Sequence, residues 1–117
     1  MRTLIVLNDP PYGSERPYNA LRLAASLRKN DPAGEVALFL MADAVACARA
    51  GQRTPEGFYN IERMLKRVLA AGGTVLLCGT CMDARGLTDT EILAGARRST
   101  MDELAAATLA ADKALVF

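Results

Sequence analysis

Gly73-Thr74-Val75-Leu76-Leu77-Cys78-Gly79-Thr80-Cys81-Met82-Asp83-Ala84-Arg85-Gly86 is the stretch that decides the fold. Its first half is unbroken apolar sequence, as expected of a strand covered on both faces; a strand with one wet face would alternate. Its second half is small, polar and turn-forming, so a buried strand gives way at Cys78 to a short helix that Gly86 can close in a left-handed conformation. Thr80, with Asp83 three residues on, has the pattern of a cap for that helix. Two thiols, Cys78 and Cys81, sit at the carboxyl end of the strand, the edge of an α/β sheet where ligands usually bind.

The same grammar recurs on either side. Thr3–Leu7 is a second continuous apolar run, ended by the breakers Asn8-Asp9-Pro10-Pro11-Tyr12-Gly13-Ser14. A helix follows from about Glu15–Pro17, where proline suits a first turn, and Asn30-Asp31-Pro32-Ala33-Gly34 stops it. Glu35 to Met41 is a third buried run, with Val36–Met41 as its core, and Asp43 is positioned to cap a helix through about Arg49. Asn60 opens the most regular helix, with Ile61, Met64, Leu65, Val68 and Leu69 on one face and Glu62 and Lys66 as an outward pair. Thr88–Glu91 and Thr100–Glu103 are two further capping boxes, Ile92-Leu93-Ala94-Gly95 and Arg97-Arg98-Ser99 leave room between them for a short strand that the sequence does not fix, and Leu115–Phe117 forms a last strand. The order predicts one domain over residues 1–117, an α/β fold with a mostly parallel sheet covered on both faces. A ferredoxin-like antiparallel sheet would require alternation that these runs lack.

Composition narrows the chemistry. The 117 residues carry 14 basic and 13 acidic side chains, a net charge of +1 that asks for neither nucleic acid nor an acidic membrane. No apolar run reaches the roughly 18 residues of a spanning helix, and the opening run is too short for a secretory signal. Three cysteines in such a chain are expected to be free thiols in a reducing cytoplasm. Histidine is absent, which excludes Ser-His-Asp and Cys-His catalysis and histidine-bound metals; no metal and no cofactor is expected. Hydrophobic residues are 51% of the chain and aromatics 5%, so small apolar helices should have surface left for a subunit interface.

Cys78 is the candidate nucleophile, because amides turning over at Gly79, Thr80 and Cys81 favour a thiolate. Cys81 stands at the spacing of a thiol–disulfide pair or packs inward on the short helix. Cys47, among alanines, is expected to be buried packing. The Asn8–Arg16 loop, with Asn8, Asp9, Tyr12 and Arg16, would share the carboxyl edge with Cys78 if the first and third strands lie near one another. Arg85 can hold an anion at the same place, or be solvated.

At this point the chain resembles the DsrE/DsrF-like family of sulfur-relay proteins. Asn8-Asp9 after the opening strand, the Val75-Leu76-Leu77-Cys78 junction and Arg85-Gly86 carry the likeness. Gly79-Thr80-Cys81 and the Asp43, Gly51-Gln52, Pro55, Gly57, Tyr59-Asn60 stretch look more like its stand-alone YchN-type members. The resemblance implies a three-layer α/β/α sandwich with a mostly parallel five-stranded sheet, assembling as rings of three or six copies. It further implies sulfane sulfur carried as a persulfide on the residue at Cys78 and exchanged with a donor or acceptor protein. A Cys78–Cys81 redox protein and a non-catalytic domain binding a small ligand or a partner are the alternatives. Catalytic roles thus fall on Cys78 and Cys81, and a substrate pocket on Asn8, Asp9, Tyr12, Arg16 and Arg85.

Overall fold

In a computed structural model describing residues 1–117, five parallel strands stand in the order β4-β3-β2-β1-β5. They are β1 (Arg2–Leu7), β2 (Glu35–Leu40), β3 (Thr74–Cys78), β4 (Arg97–Ser99) and β5 (Lys113–Val116). The helices are α1 (Arg16–Asn30), α2 (Ile61–Ala70), α3 (Gly79–Ala84) and α4 (Met101–Ala110), with 3-10 turns at Ala42–Ala48, Pro55–Gly57 and Asp89–Glu91. The fold is the three-layer α/β class, and the three long apolar runs are its central strands. In the sheet centre Leu38 lies between Ile5 and Val75, and Phe39 between Val6 and Leu76. With both faces of the sheet covered, Ile5, Leu38, Val75 and Leu77 are all 0% exposed, so each position must be apolar. Truncating such a side chain, as in Leu77→Ala, costs about 2–5 kcal/mol.

The chain steps from β1 to β4 in one direction, then returns through α4 to place β5 on the far side of β1. Crossovers of the usual right hand set α1 and α2 on one face and α4 on the other. α1 and α2 pack on each other and on the sheet, whereas α4 touches β1 and buries none of its residues. Met101 and Leu109 remain 60% and 88% exposed on α4, and Val116 on β5 is 71% exposed. This contiguous apolar side, with an open strand edge, has no partner within the chain.

Local signals are met with corrections. Pro17 lies in the first turn of α1, and the Asn60 Oδ1 accepts the Arg63 N–H at 3.0 Å to cap α2. Thr100 caps α4 by accepting the Glu103 N–H, while the Glu103 carboxylate turns to Arg97 and Ser99 and is held at about 2 by those bonds, Arg97's first. The Thr88–Glu91 box forms in full, on a 3-10 turn. The expected α-helix from Asp43 to Arg49 is a 3-10 turn instead, preceded by Met41, and Asp43 does not cap it. Met41 itself lies just past β2, its N–H donating to the Leu7 carbonyl. Glu62 does pair with Lys66 at 3.3 Å, but it is not outward. It is 8% exposed, and its Oε1 accepts the N–H groups of Gly51 and Gln52 at 3.1 and 2.9 Å, which satisfies a buried acid and pins the loop before α2.

Candidate functional site

Cys78 ends β3 and is itself the cap of α3: its Sγ accepts the Cys81 N–H at 3.4 Å. This replaces the Thr80 cap expected from the sequence. Thr80 lies inside the helix, and its hydroxyl is 3.2 Å from the Cys78 sulfur. The sharp turn places sulfur where a capping oxygen usually sits, so the thiol collects the donors that a helix start leaves free. Burial opposes ionisation of Cys78, but hydrogen bonds from the Cys81 thiol, the Thr80 hydroxyl and the Cys81 and Thr80 amides outweigh it, so the acidity is raised and the pKa falls below the ordinary thiol value. Cys81 moves the other way. Burial and its bond to Cys78 raise its pKa, against the pull of the Ala42 N–H and Arg85. Of the pair, Cys78 is therefore the first to give up its proton.

Three neighbours build this turn. Ala42 sits in the left-handed region at φ +52, which sterics disfavour for any residue with a Cβ, and its N–H donates to the Cys81 sulfur at 3.2 Å. Arg85 donates to Asp43 Oδ1 at 2.9 Å and to the Cys81 carbonyl at 3.1 Å, so it braces the Cys81 side. Arg98, on the edge strand, donates to the Gly79 carbonyl, to Asp83 and to Asp89, each at 3.0 Å. A Cβ on Gly79 would come within 3.0 Å of the Arg98 side chain and 3.2 Å of the Ser99 carbonyl, so the turn needs glycine there. Gly86 ends α3 with φ +64, as its position implied. Arg98 and Ala42 were not among the sequence candidates. Arg98 could have been suspected as a paired arginine in an otherwise weak strand; nothing in an alanine announces a backbone donor.

The other candidates form a second group, because β2 lies between β1 and β3. The Asn8 N–H donates to the Phe117 carbonyl, where β1 and β5 meet and the strand order reverses. Asp9 accepts from the Ser14 hydroxyl at 2.8 Å and faces Arg16 at 3.8 Å. Tyr12 donates its hydroxyl to Gln52 and accepts the Ile61 N–H, at 2.6 and 3.2 Å. Within one chain these residues share the carboxyl edge with Cys78, and their hydrogen bonds run to one another, to the loop before α2 and to the chain's end. The thiol that meets them is Cys47, fully buried, its S–H directed at the Asp9 carbonyl at 3.7 Å. Its pKa is pushed up to about 12, by burial first and then by the Asp9 charge. No three Cys, Asp or Glu side chains converge as a metal cluster, and no helix is long and apolar enough to cross a membrane.

The five-stranded parallel sheet matches what comparison with known proteins finds. The DsrE/DsrF-like family matches residues 1–117. The chain belongs to that family, which is known for sulfur relay. It is 45% identical over 116 residues to protein YchN of Escherichia coli strain K12, covering 99% of this chain and 98% of that one. An uncharacterized protein of Methanocaldococcus jannaschii, MJ0989, is 33% identical over 117 residues, covering both chains fully. The crystal structure of the Escherichia coli YchN protein superposes with a TM-score of 0.94 at 44% identity, covering 100% of this chain and 99% of that one. A Methanobacterium thermoautotrophicum protein of unknown function, MTH1491, shares the fold at a TM-score of 0.71 and 13% identity, covering 99% of this chain and 98% of that one.

Proposed function

We propose that this family member carries sulfane sulfur as a persulfide on Cys78. The observation that carries the reading is the ring of donors on one sulfur, the Cys81 amide and the Thr80 hydroxyl, with Cys81 protonated beside it. The Cys78 thiolate attacks the outer sulfur of a donor persulfide; a new S–S bond forms, the donor's S–S bond breaks, and the donor leaves as a thiolate. An acceptor nucleophile then takes the outer sulfur and returns Cys78 as a thiolate. Neither step requires a histidine base, because the donors around the Cys78 sulfur favour the attacking thiolate and the departing group leaves as an anion. Cys78 is 7% exposed, so the donor must present a terminal sulfur at the sheet edge rather than engulf the thiol. Arg85 supports the site by fixing the Cys81 carbonyl. The Asn8–Arg16 loop, with Asn8, Asp9, Tyr12 and Arg16, forms the wall of the same edge against which a donor protein docks.

The bare α4–β5 side supports assembly as a homo-oligomer, a trimer or hexamer on the family pattern, with Met101, Leu109 and Val116 covered between copies. Free thiols at all three cysteines fit a reducing cytoplasm. Light scattering should return a multiple of the 12.5 kDa chain at micromolar concentration; a stable monomer would refute the assembly.

The second reading is a Cys78–Cys81 disulfide cycle, favoured by two free thiols on one turn with the Cys81 side chain hydrogen-bonding toward Cys78. Intact-protein mass spectrometry after incubation with a sulfane-sulfur donor separates the two. A reductant-labile gain of one sulfur atom, lost in Cys78→Ser and kept in Cys81→Ser, is expected for relay. Loss of two hydrogens that needs both thiols identifies the redox pair. A protein that takes up neither is a binding domain, and the relay proposal fails.

A further inference from the structure

On the α1–α2 face, apart from Cys78, Cys81 and Arg85, a cavity of about 580 Å³ is lined by Arg22, Arg28, Arg63 and Arg67 and by no carboxylate. Of the chain's other seven arginines, six (Arg2, Arg16, Arg49, Arg85, Arg97 and Arg98) are in ion pairs, so the four in this groove are an exception within the molecule. Arg28 donates one N–H to the Gly34 carbonyl, yet its Nε is buried without any partner. Arg22 also donates to Asn19 Oδ1 at 3.2 Å, but a buried, unpaired donor among guanidiniums without a carboxylate is a cost that a bound anion removes. Arg22 lies over the Tyr18 ring at 5.6 Å, which fixes it at the groove's wall.

A second cavity, of about 550 Å³, adjoins the first through Tyr18 and Tyr59 and adds Tyr12 and Phe58, with Glu15 as its one carboxylate. Tyr59 stands edge-on to Phe58 at 5.5 Å and to Tyr12 at 6.4 Å. Phe58 and Tyr59 are 72% and 48% exposed, a large apolar display for a chain with so few aromatics. The loop that presents them holds Glu56 and Tyr59 at positive φ, +53 and +45, strain of the kind that ligand clamps store. Arginines at one end and aromatic rings at the other suit a ligand with a phosphate head and a planar body. The volume lies within the range of about 300–1,000 Å³ usual for small-molecule sites.

We infer that the joined cavities bind a nucleoside phosphate, with the α1–α2 arginines on the phosphates and the Phe58–Tyr59 rings against the base. Guanidinium forks match phosphate oxygens, and aromatic faces accept any base by stacking. Neither cavity includes either thiol of the β3–α3 turn, and only the second shares residues, Tyr12 among them, with the docking wall proposed above.

Calorimetric titration of the whole protein with ADP, and separately with inorganic pyrophosphate, tests it. ADP should bind more tightly than pyrophosphate, and both should weaken by about ten-fold or more in Arg63→Gln/Arg67→Gln, two exposed positions whose loss leaves the core intact. Phe58→Ala should weaken ADP several-fold and leave pyrophosphate unchanged, and Lys113→Gln, on the edge strand, should change neither. A melting curve matching the parent shows that each variant is folded. No binding of ADP at millimolar concentration, or full binding by the folded double arginine variant, overturns the site. Equal affinity for pyrophosphate and ADP overturns the nucleoside half of it.

Discussion

Cys47 and Cys78 are both covered thiols, 0% and 7% exposed, and their acidities move in opposite directions. Cys47 sits buried in the Ala42–Ala48 turn with a carbonyl before its sulfur and the Asp9 charge nearby; burial first, and then that charge, keeps the proton on. Cys78 sits at a strand end whose next residues aim an amide and a hydroxyl at it, an arrangement that takes the proton off. Burial pushes both thiols toward the protonated form; what separates them is that the donors around Cys78 outweigh it and nothing around Cys47 does.

The contrast is broken most easily by alkylation. At neutral pH iodoacetamide should modify Cys78 at least about 100-fold faster than Cys47, which reacts only when the protein opens. Peptide mapping by mass spectrometry reads the two rates, and comparable rates would erase the distinction. Stability is the next lever. Cys47→Ser, which puts a hydroxyl where the fold offers one distant carbonyl, should cost about 1–3 kcal/mol in urea unfolding. Gly79→Ala should cost a similar amount, about 1–3 kcal/mol, by forcing Arg98 or the Ser99 backbone aside, and should slow sulfur loading as well.

The pH dependence of stability sharpens the comparison because the two thiols contribute with opposite sign. The Cys47 pKa is raised on folding, so its contribution is complete below the unfolded thiol value of about 8.5 and is lost as pH rises toward about 12. The parent should lose up to about 1.4 kcal/mol per pH unit in that window relative to Cys47→Ala. The Cys78 pKa is lowered, so its contribution is present above the unfolded value and disappears as pH falls through the folded one. Equal alkaline slopes for the parent and Cys47→Ala would contradict the assignment. The smallest effect belongs to Thr80→Val, which removes one donor from Cys78 and should raise the midpoint of its alkylation by less than about one pH unit.

The central sheet was legible because strands covered on both faces leave little room for polar residues, as Leu4–Leu7 and Val75–Cys78 show. Asn60 and α2 were legible for a similar reason, a cap and a stripe written within ten residues. Strand order was not, since nothing local says that β5 returns beside β1. β4 could be allowed for but not fixed, because its Arg97-Arg98-Ser99 has no apolar pattern and exists by pairing with Leu76–Cys78. Glu62 misled because its spacing to Lys66 describes an isolated helix, while its buried oxygen answers to loop amides at Gly51 and Gln52. At the site, Cys78 and Cys81 could be picked from their position after β3. The Ala42 amide could not, and the paired arginines hinted at Arg98 without saying what it braces, because both contacts depend on chain segments brought in from other strands.

The most direct test of the account is the pH profile of Cys78 alkylation in the folded parent protein, with each modified cysteine identified by peptide mass. Local donors that hold Cys78 as an anion predict a midpoint below the ordinary thiol value of about 8.5 and a return to that value in denaturant. A folded-state midpoint at or above about 8.5 would contradict it, leaving Cys78 a buried thiol of the same kind as Cys47.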